Sequence, residues 1–291
     1  MTNKRTIPPT ALSLSTALVA AAFVGPLSAQ ATEAPVLRIC ASENEEPYSS
    51  RNGNGFENRI AEIVAKAMGR TPEFVWYERP AIYLVRDQLD QNACDIVVGL
   101  DSGDDRVLTS KPYYRAPYVF IQRKDSPLVI EDWDSPDLRK AEKIGMAQDG
   151  PAQVMLEKLG LFNRNFNYMK SLVGFKSKRN QYVRVPPQKL VGDVADGTSD
   201  LAIGFGPEVA RYVKQRGDAL KMTPIPDNAT RADGEGVPFH FDQSFGVRKD
   251  DAQLLAEVNA ALEKARPEIE AVLKEEGIPL DELKTPAGNA G

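Results

Sequence analysis

Between Val36 and Gly99 three short β-rich runs alternate with two helical stretches, and this alternation constrains the fold more than any other feature of the chain. Val36 to Cys40 reads as a strand. A polar stretch, 42–54, leads into a helix that Asn54 is expected to cap, with Glu57 reaching back in a capping box. Phe56, Ile60, Ile63, Val64, Ala67 and Met68 then share one face at helical spacing, and Gly69 supplies the stop. Glu73 to Tyr77 is a second strand, Arg79 to Asn92 a second helix, and Cys94 to Gly99 a third strand apolar enough to be buried on both faces. Repetition of this kind builds a parallel sheet covered by helices. Such sheets take ligands beyond the carboxyl ends of their strands, so the segments after Cys40 and after Gly99 are the first places to look for a site.

A second α/β series follows. Tyr118 to Arg123, Lys143 to Ala147, Asp200 to Phe205 and Gln243 to Arg248 read as strands. A helix opens at Pro151, where proline's fixed φ suits a first helical position. Others cover Pro187 to Asp196 and Pro207 to Gln215. Two terminal helices are expected, the second started by Pro267 and stopped at Gly277, with residues 284–291 as a disordered tail.

Lys4 and Arg5, the apolar run Ala11 to Val24, and Ala29-Gln30-Ala31 have the order of a cleaved secretory signal peptide, residues 1–31, with cleavage after Ala31. The run is shorter than the roughly 20 apolar residues that span a bilayer, so the mature chain is expected in the periplasm without a transmembrane segment. The net charge of −5 gives no support for nucleic-acid binding. The only histidine, His240, falls in a predicted loop, so no Ser-His-Asp triad or His-rich metal centre can be assembled. With no phosphate loop or dinucleotide fingerprint either, the chain reads as a non-enzyme with no cofactor and no metal of its own.

Leu37-Arg38-Ile39-Cys40, Glu46-Pro47-Tyr48, Gly55-Phe56-Glu57, Cys94 to Gly99, Arg106 and Lys111-Pro112-Tyr113-Tyr114 resemble, in order and spacing, the family-3 solute-binding proteins of ABC importers. The strings Cys40 to Tyr48, Gly55 to Lys66 and Cys94 to Arg123 look closer still to the MoxJ/XoxJ group, solute-binding-like proteins associated with pyrroloquinoline-quinone (PQQ) methanol dehydrogenases. The run Gly99 to Tyr114 carries most of that likeness. The resemblance implies a type II periplasmic binding protein fold: two α/β lobes, each with a mostly parallel sheet flanked by helices, joined by two chain crossings near 122–126 and 240–244. Lobe one is expected to comprise 32–123 plus 243–283 and lobe two 124–242. It also implies an accessory role in a methanol oxidation system, with the PQQ-dependent methanol dehydrogenase and its cytochrome c as partners. The alternative is the substrate-binding subunit of an importer for a small organic solute other than a standard amino acid.

In amino-acid-binding members of that family an arginine at the position of Arg106 grips the ligand carboxylate, a contact suited to the guanidinium fork. Here Asp101, Asp104 and Asp105 compete for it, and both readings stay open. Asp101-Ser102-Gly103 replaces a hydroxyl-rich turn. Pro151 removes a donor from the facing helix terminus. The expected acidic residue falls at Gly204-Phe205-Gly206. These departures argue against binding of a standard amino acid. Cleft candidates are Glu43, Tyr48, Trp76, Asp101, Ser102, Arg106, Tyr113, Tyr114, Gln148 and Phe205, with the acidic turn read as solvated and Arg-paired rather than metal-binding.

A basic, aromatic-rich stretch, 162–184, offers Arg164, Phe166, Tyr168, Lys170, Lys176, Lys178, Arg179 and Tyr182 either as a docking surface for an acidic partner or as a solvated cover on the second lobe. The two cysteines, Cys40 and Cys94, sit on adjacent parallel strands in this reading, about three residues out of step, or roughly 10 Å. A disulfide needs Cα atoms within about 7 Å, so a Cys40–Cys94 bond is not favoured and two buried thiols are expected.

Overall fold

The computed structural model describes residues 34–147, 149–173 and 185–283, beside 1–3 and 6, and the fold lies within the unit Ala34–Gly291. Almost all of the expected leader, Gln148, residues 174–184 and the tail 284–291 lie outside the described residues. In chain order the first elements are strands β1 (Val36–Ser42), β2 (Asn44–Glu45) and β3 (Ser49–Ser50), helix α1 (Phe56–Ala67), and strands β4 (Thr71–Tyr77), β5 (Ile96–Asp101), β6 (Leu108–Thr109), β7 (Tyr114–Arg123) and β8 (Ile144–Met146). Helices α2 (Pro151–Lys158), α3 (Phe162–Leu172) and α4 (Pro187–Ala195) come next. Strand β9 (Leu201–Phe205), helix α5 (Gly206–Gln215), strands β10 (Leu220–Pro224) and β11 (His240–Val247), and helix α6 (Ala252–Glu276) complete the fold.

The strand order is β4-β1-β5-β11-β7-β9-β8. β1 lies parallel between β4 and β5, pairing Ile39 with Phe74 on one side and with Ile96 on the other. β11 closes this half antiparallel to β5, and β8 and β9 pair in parallel in the other half. β7 serves both halves: Tyr114 to Pro117 pair with β11, whereas Tyr118 to Ile121 pair with β9. Core membership changes at the same place. Tyr113, Tyr114 and Ala116 pack with α1 and α6, while Phe120 packs with Ile144, Met146 and Phe239. The first crossing is thus a change of partners along one strand between Pro117 and Tyr118.

Several local expectations are corrected. Gly55, not Asn54, is the N-cap of α1, and no side chain caps it. The carbonyls of Pro47 and Tyr48 accept the Phe56 and Glu57 amides instead, which frees the Glu57 side chain to turn elsewhere. Gly55 is pressed so close to the Tyr48 carbonyl that a Cβ would lie 2.5 Å from it. The predicted helix from Arg79 is a 3-10 turn, Ala81–Tyr83, followed by a π-helical turn, Val85–Leu89. The two terminal helices are one, running 25 residues through Pro267. Proline removes one backbone bond, but Leu254, Val258, Ala261, Leu262, Ala265, Ile269 and Val272 keep one buried stripe in phase across it. His240 is not in a loop; it begins β11 opposite Pro117.

The cysteine reading is also overturned: Cys40 and Cys94 form a disulfide, with Cα atoms 5.4 Å apart. The strand register is as expected, since Cys40 faces Val97, three residues beyond Cys94. But β5 starts only at Ile96, so Cys94 is not part of the strand. Cys94 lies in the turn after Asn92, whose φ of 56° swings the chain around. It packs with Cys40, Leu84, Leu89 and Val97 in one apolar cluster instead of extending the ladder.

Candidate functional site

A cavity of about 260 Å³ opens at the carboxyl ends of β1 and β5, beside the first turn of α1. Parallel sheets present such a crevice there by construction. Its wall is mostly first-lobe: Ser42 from β1, Glu45 and Tyr48 from the following segment, Glu57 and Asn58 from α1, Gly99 and Asp101 from β5. Gln243 comes from β11, and Phe205, at the end of β9, is the second lobe's contribution.

Hydrogen bonds fix this wall. Asn58 donates to Ser49 Oγ at 3.0 Å and accepts the Ser50 amide at 2.9 Å, pinning the β2–β3 hairpin to α1. Ser49 donates to the Ser42 carbonyl at 2.7 Å. Glu45 accepts the Ala81 amide at 2.6 Å, and Asp101 accepts from the Gln243 side chain at 2.7 Å. Glu57 is 8% exposed, and its carboxylate lies directly over Gly99, where a Cβ would come within 2.1 Å of Oε1. Gly99 has φ +74°, a conformation glycine adopts freely, so backbone geometry and the room for Glu57 demand the same residue.

Tyr113 donates to Glu57 over a long 3.4 Å and meets Tyr114 edge-on at 4.8 Å. Burial pushes the Tyr113 phenol well above its ordinary range, and the neighbouring Glu57 charge adds to the effect. Tyr114 is raised likewise, first by burial. Both hydroxyls therefore remain protonated at any physiological pH.

The structure draws Tyr48, Asp101 and Phe205 into the cavity wall and sets Tyr113 and Tyr114 in the core behind it. Other candidates lie elsewhere. Arg106 does not line the cavity. Its Nε and Nη2 donate to Asp104 at 3.0 and 2.6 Å, and Nη1 reaches the Ile82 carbonyl at 3.4 Å. Asp104 is accordingly held below the usual carboxylate range, chiefly by the Arg106 bonds. Ser102 bonds Ser244 at 2.6 Å. Glu43 pairs with Arg51 at 3.0 Å, and Arg51 also lies over Trp76, which stacks on Phe74.

Of the docking candidates, Arg164 donates to the carbonyls of Ala141 and Arg139, and Tyr168 bonds Asp193 at 3.0 Å. Phe166 is 40% exposed with Lys170 over its ring, whereas Lys176, Lys178, Arg179 and Tyr182 lie outside the described residues.

Glu45, Glu57, Asn58 and Gln243 were missed. In the sequence Glu57 has the spacing of a helix-capping residue, and only the glycine at 99, bare between apolar residues, signals a close approach to that strand. Chemically, three carboxylates line the cavity and, among the described residues, no lysine or arginine does. Such a wall suits hydrogen-bond donors and cations and opposes an anionic group. Among the described residues no group of three or more His, Cys, Asp or Glu side chains is placed to hold a metal ion, and no helix is long and apolar enough to cross a membrane.

Residues 37–272 match the model of the bacterial extracellular solute-binding proteins, family 3, and the chain belongs to that family. Within it, the chain is placed in the MoxJ/XoxJ group. Protein MoxJ of Methylorubrum extorquens is 47% identical over 282 residues, covering 92% of this chain and 94% of its own. The crystal structure of MxaJ from Methlophaga aminisulfidivorans MPT is 49% identical, covers 84% of this chain and 100% of its own, and superposes with a TM-score of 0.81. That of XoxJ from Methylobacterium extorquens AM1, titled a periplasmic binding protein, is 27% identical, with coverage of 85% and 100% and a TM-score of 0.64.

Proposed function

We propose that this chain is a non-catalytic, periplasmic, solute-binding-like accessory protein of a methanol oxidation system. In this reading it helps a PQQ-dependent methanol dehydrogenase to assemble, mature or become active by protein–protein contact, with the dehydrogenase's cytochrome c as a second partner. The observation that carries it is the engagement of Arg106 by Asp104 beside a cavity walled by Glu45, Glu57 and Asp101. A zwitterion's carboxylate would find no cation there among the described residues and would face three carboxylates, so a protein that kept the fold has lost the usual means of gripping an amino acid. Exposed Phe166 under Lys170 supports docking through the α3 region, since aromatic and basic side chains together favour an acidic partner. Co-purification from methanol-grown cells tests this reading: the dehydrogenase should be retained, and normal dehydrogenase activity in a deletion strain would end it.

The second reading is an importer subunit for a small organic solute, which the 260 Å³ cavity at the strand ends favours. A thermal-shift screen of amines, organic acids, sugars and free quinone cofactor separates the two, because only the importer reading requires a saturable small ligand.

A further inference from the structure

The lone histidine has no part in the cavity, yet it sits at the point where a two-lobed protein must bend. His240 opens β11 at the second crossing and faces Pro117 of β7 at the first. Its Nδ1 lies 2.6 Å from Asp281 Oδ2, and its Nε2 donates to the Ile225 carbonyl at 2.7 Å, just past β10. Asp281 belongs to the segment that leaves α6. Gly277, with φ +77°, turns the chain out of the helix. Ile278 is 6% exposed in the first-lobe core. Pro279 presses on Gly206 so closely that a Cβ there would sit 3.0 Å from its ring. The Asp281 amide donates to the Arg115 carbonyl at 3.0 Å. Five residues thus touch both crossing strands and the start of α5.

The end of α6 is joined to α5 as well. Arg211 of α5 makes a two-pronged pair with Glu276, at 2.6 and 2.8 Å, and Glu276 is only 7% exposed. Lys214 donates to the Glu275 carbonyl at 2.6 Å, and Ala210, fully buried, belongs to the first-lobe core although its helix follows β9. Lobe opening concentrates φ/ψ change in a few residues at the crossings. Here those residues are bonded to a third segment, and opening would also expose Ala210 and pull Arg211 away from the buried Glu276.

We propose that Gly277–Asp281 is a strap that fixes the angle between the lobes, so that the cleft does not open and close as in a transport receptor. The proposal holds whatever occupies the cavity and whether or not the dehydrogenase is the partner. Spin labels on cysteines introduced at the exposed positions Ile82 and Val129, one on each lobe, report the distance with Cys40 and Cys94 still joined. A single narrow distance peak is expected for the full chain. Asp281→Ala with Arg211→Ala should add a second, longer population. A two-population distribution in the parent chain, or an unchanged peak in the folded double variant, overturns the proposal. Hydrogen exchange on the parent chain gives a separate reading that needs no variant: the Asp281 amide should exchange as slowly as those of β7 and β11. Exchange at the rate of a frayed terminus would overturn the strap.

Discussion

Arg106 lays its guanidinium along the carboxylate of Asp104, with Nη2 2.6 Å from Oδ2 and Nε 3.0 Å from Oδ1. The geometry is the one a bound carboxylate would otherwise receive, supplied from two residues away in the same turn. Amino acids such as glycine or glutamate should therefore give no calorimetric binding signal. Asp104→Asn alone should not create one, because Glu45, Glu57 and Asp101 still line the cavity.

The same pair has a pH signature. Asp104 titrates below its ordinary value in the folded chain, so its contribution to stability is present above the unfolded carboxylate value of about 4 and is lost as pH falls through the depressed value. Since Arg106 is well exposed, that contribution should not exceed about 1 kcal/mol. The melting-temperature gap between parent and Asp104→Asn should be widest near neutrality and shrink toward pH 3.

The Cys40–Cys94 bond closes a loop of sequence separation 54. Constraining such a loop in the unfolded chain is worth about 3–4 kcal/mol. Alkylation without reductant should add no mass to the denatured protein, and Cys40→Ser with Cys94→Ser should lower the urea midpoint by a corresponding amount.

Gly99→Ala should be costly for two independent reasons. Its φ of +74° disfavours a side chain, and the new Cβ would meet the Glu57 carboxylate. A loss of about 1–3 kcal/mol is expected from overpacking, measured by denaturant titration. Glu57→Ala in the same background should recover part of it, since removing the carboxylate relieves one of the two strains.

Arg211→Met leaves Glu276 buried with only Arg59, at 3.6 Å, nearby. Breaking a buried pair from one side costs about 3 kcal/mol, whereas replacing both partners by apolar groups costs far less. Thermal unfolding should show Arg211→Met well below the parent, and Arg211→Met with Glu276→Leu substantially recovered.

The sequence made the alternation of strands and helices legible because β1, β5 and β9 are nearly unbroken apolar runs and α1 has a clean apolar stripe. It also located the cavity, since the ends of β1 and β5 define it. What stayed hidden depends on contacts between distant residues. Glu57 looks like a capping residue until the backbone carbonyls of Pro47 and Tyr48 take over that task. The Cys40–Cys94 bond required knowing that β5 begins two residues after Cys94. Pro267 normally signals a helix start, and only the stripe packed on both sides of it reveals one continuous helix. His240 looked idle because its partners lie 15 and 41 residues away along the chain.

β7 carries the ladder of one sheet half up to Pro117 and that of the other from Tyr118 onward, with no residue between. No cut near that point yields two self-sufficient pieces, because each fragment would keep a torn edge. Expressed alone, either half is expected to expose a strand stripped of its ladder and to aggregate rather than fold.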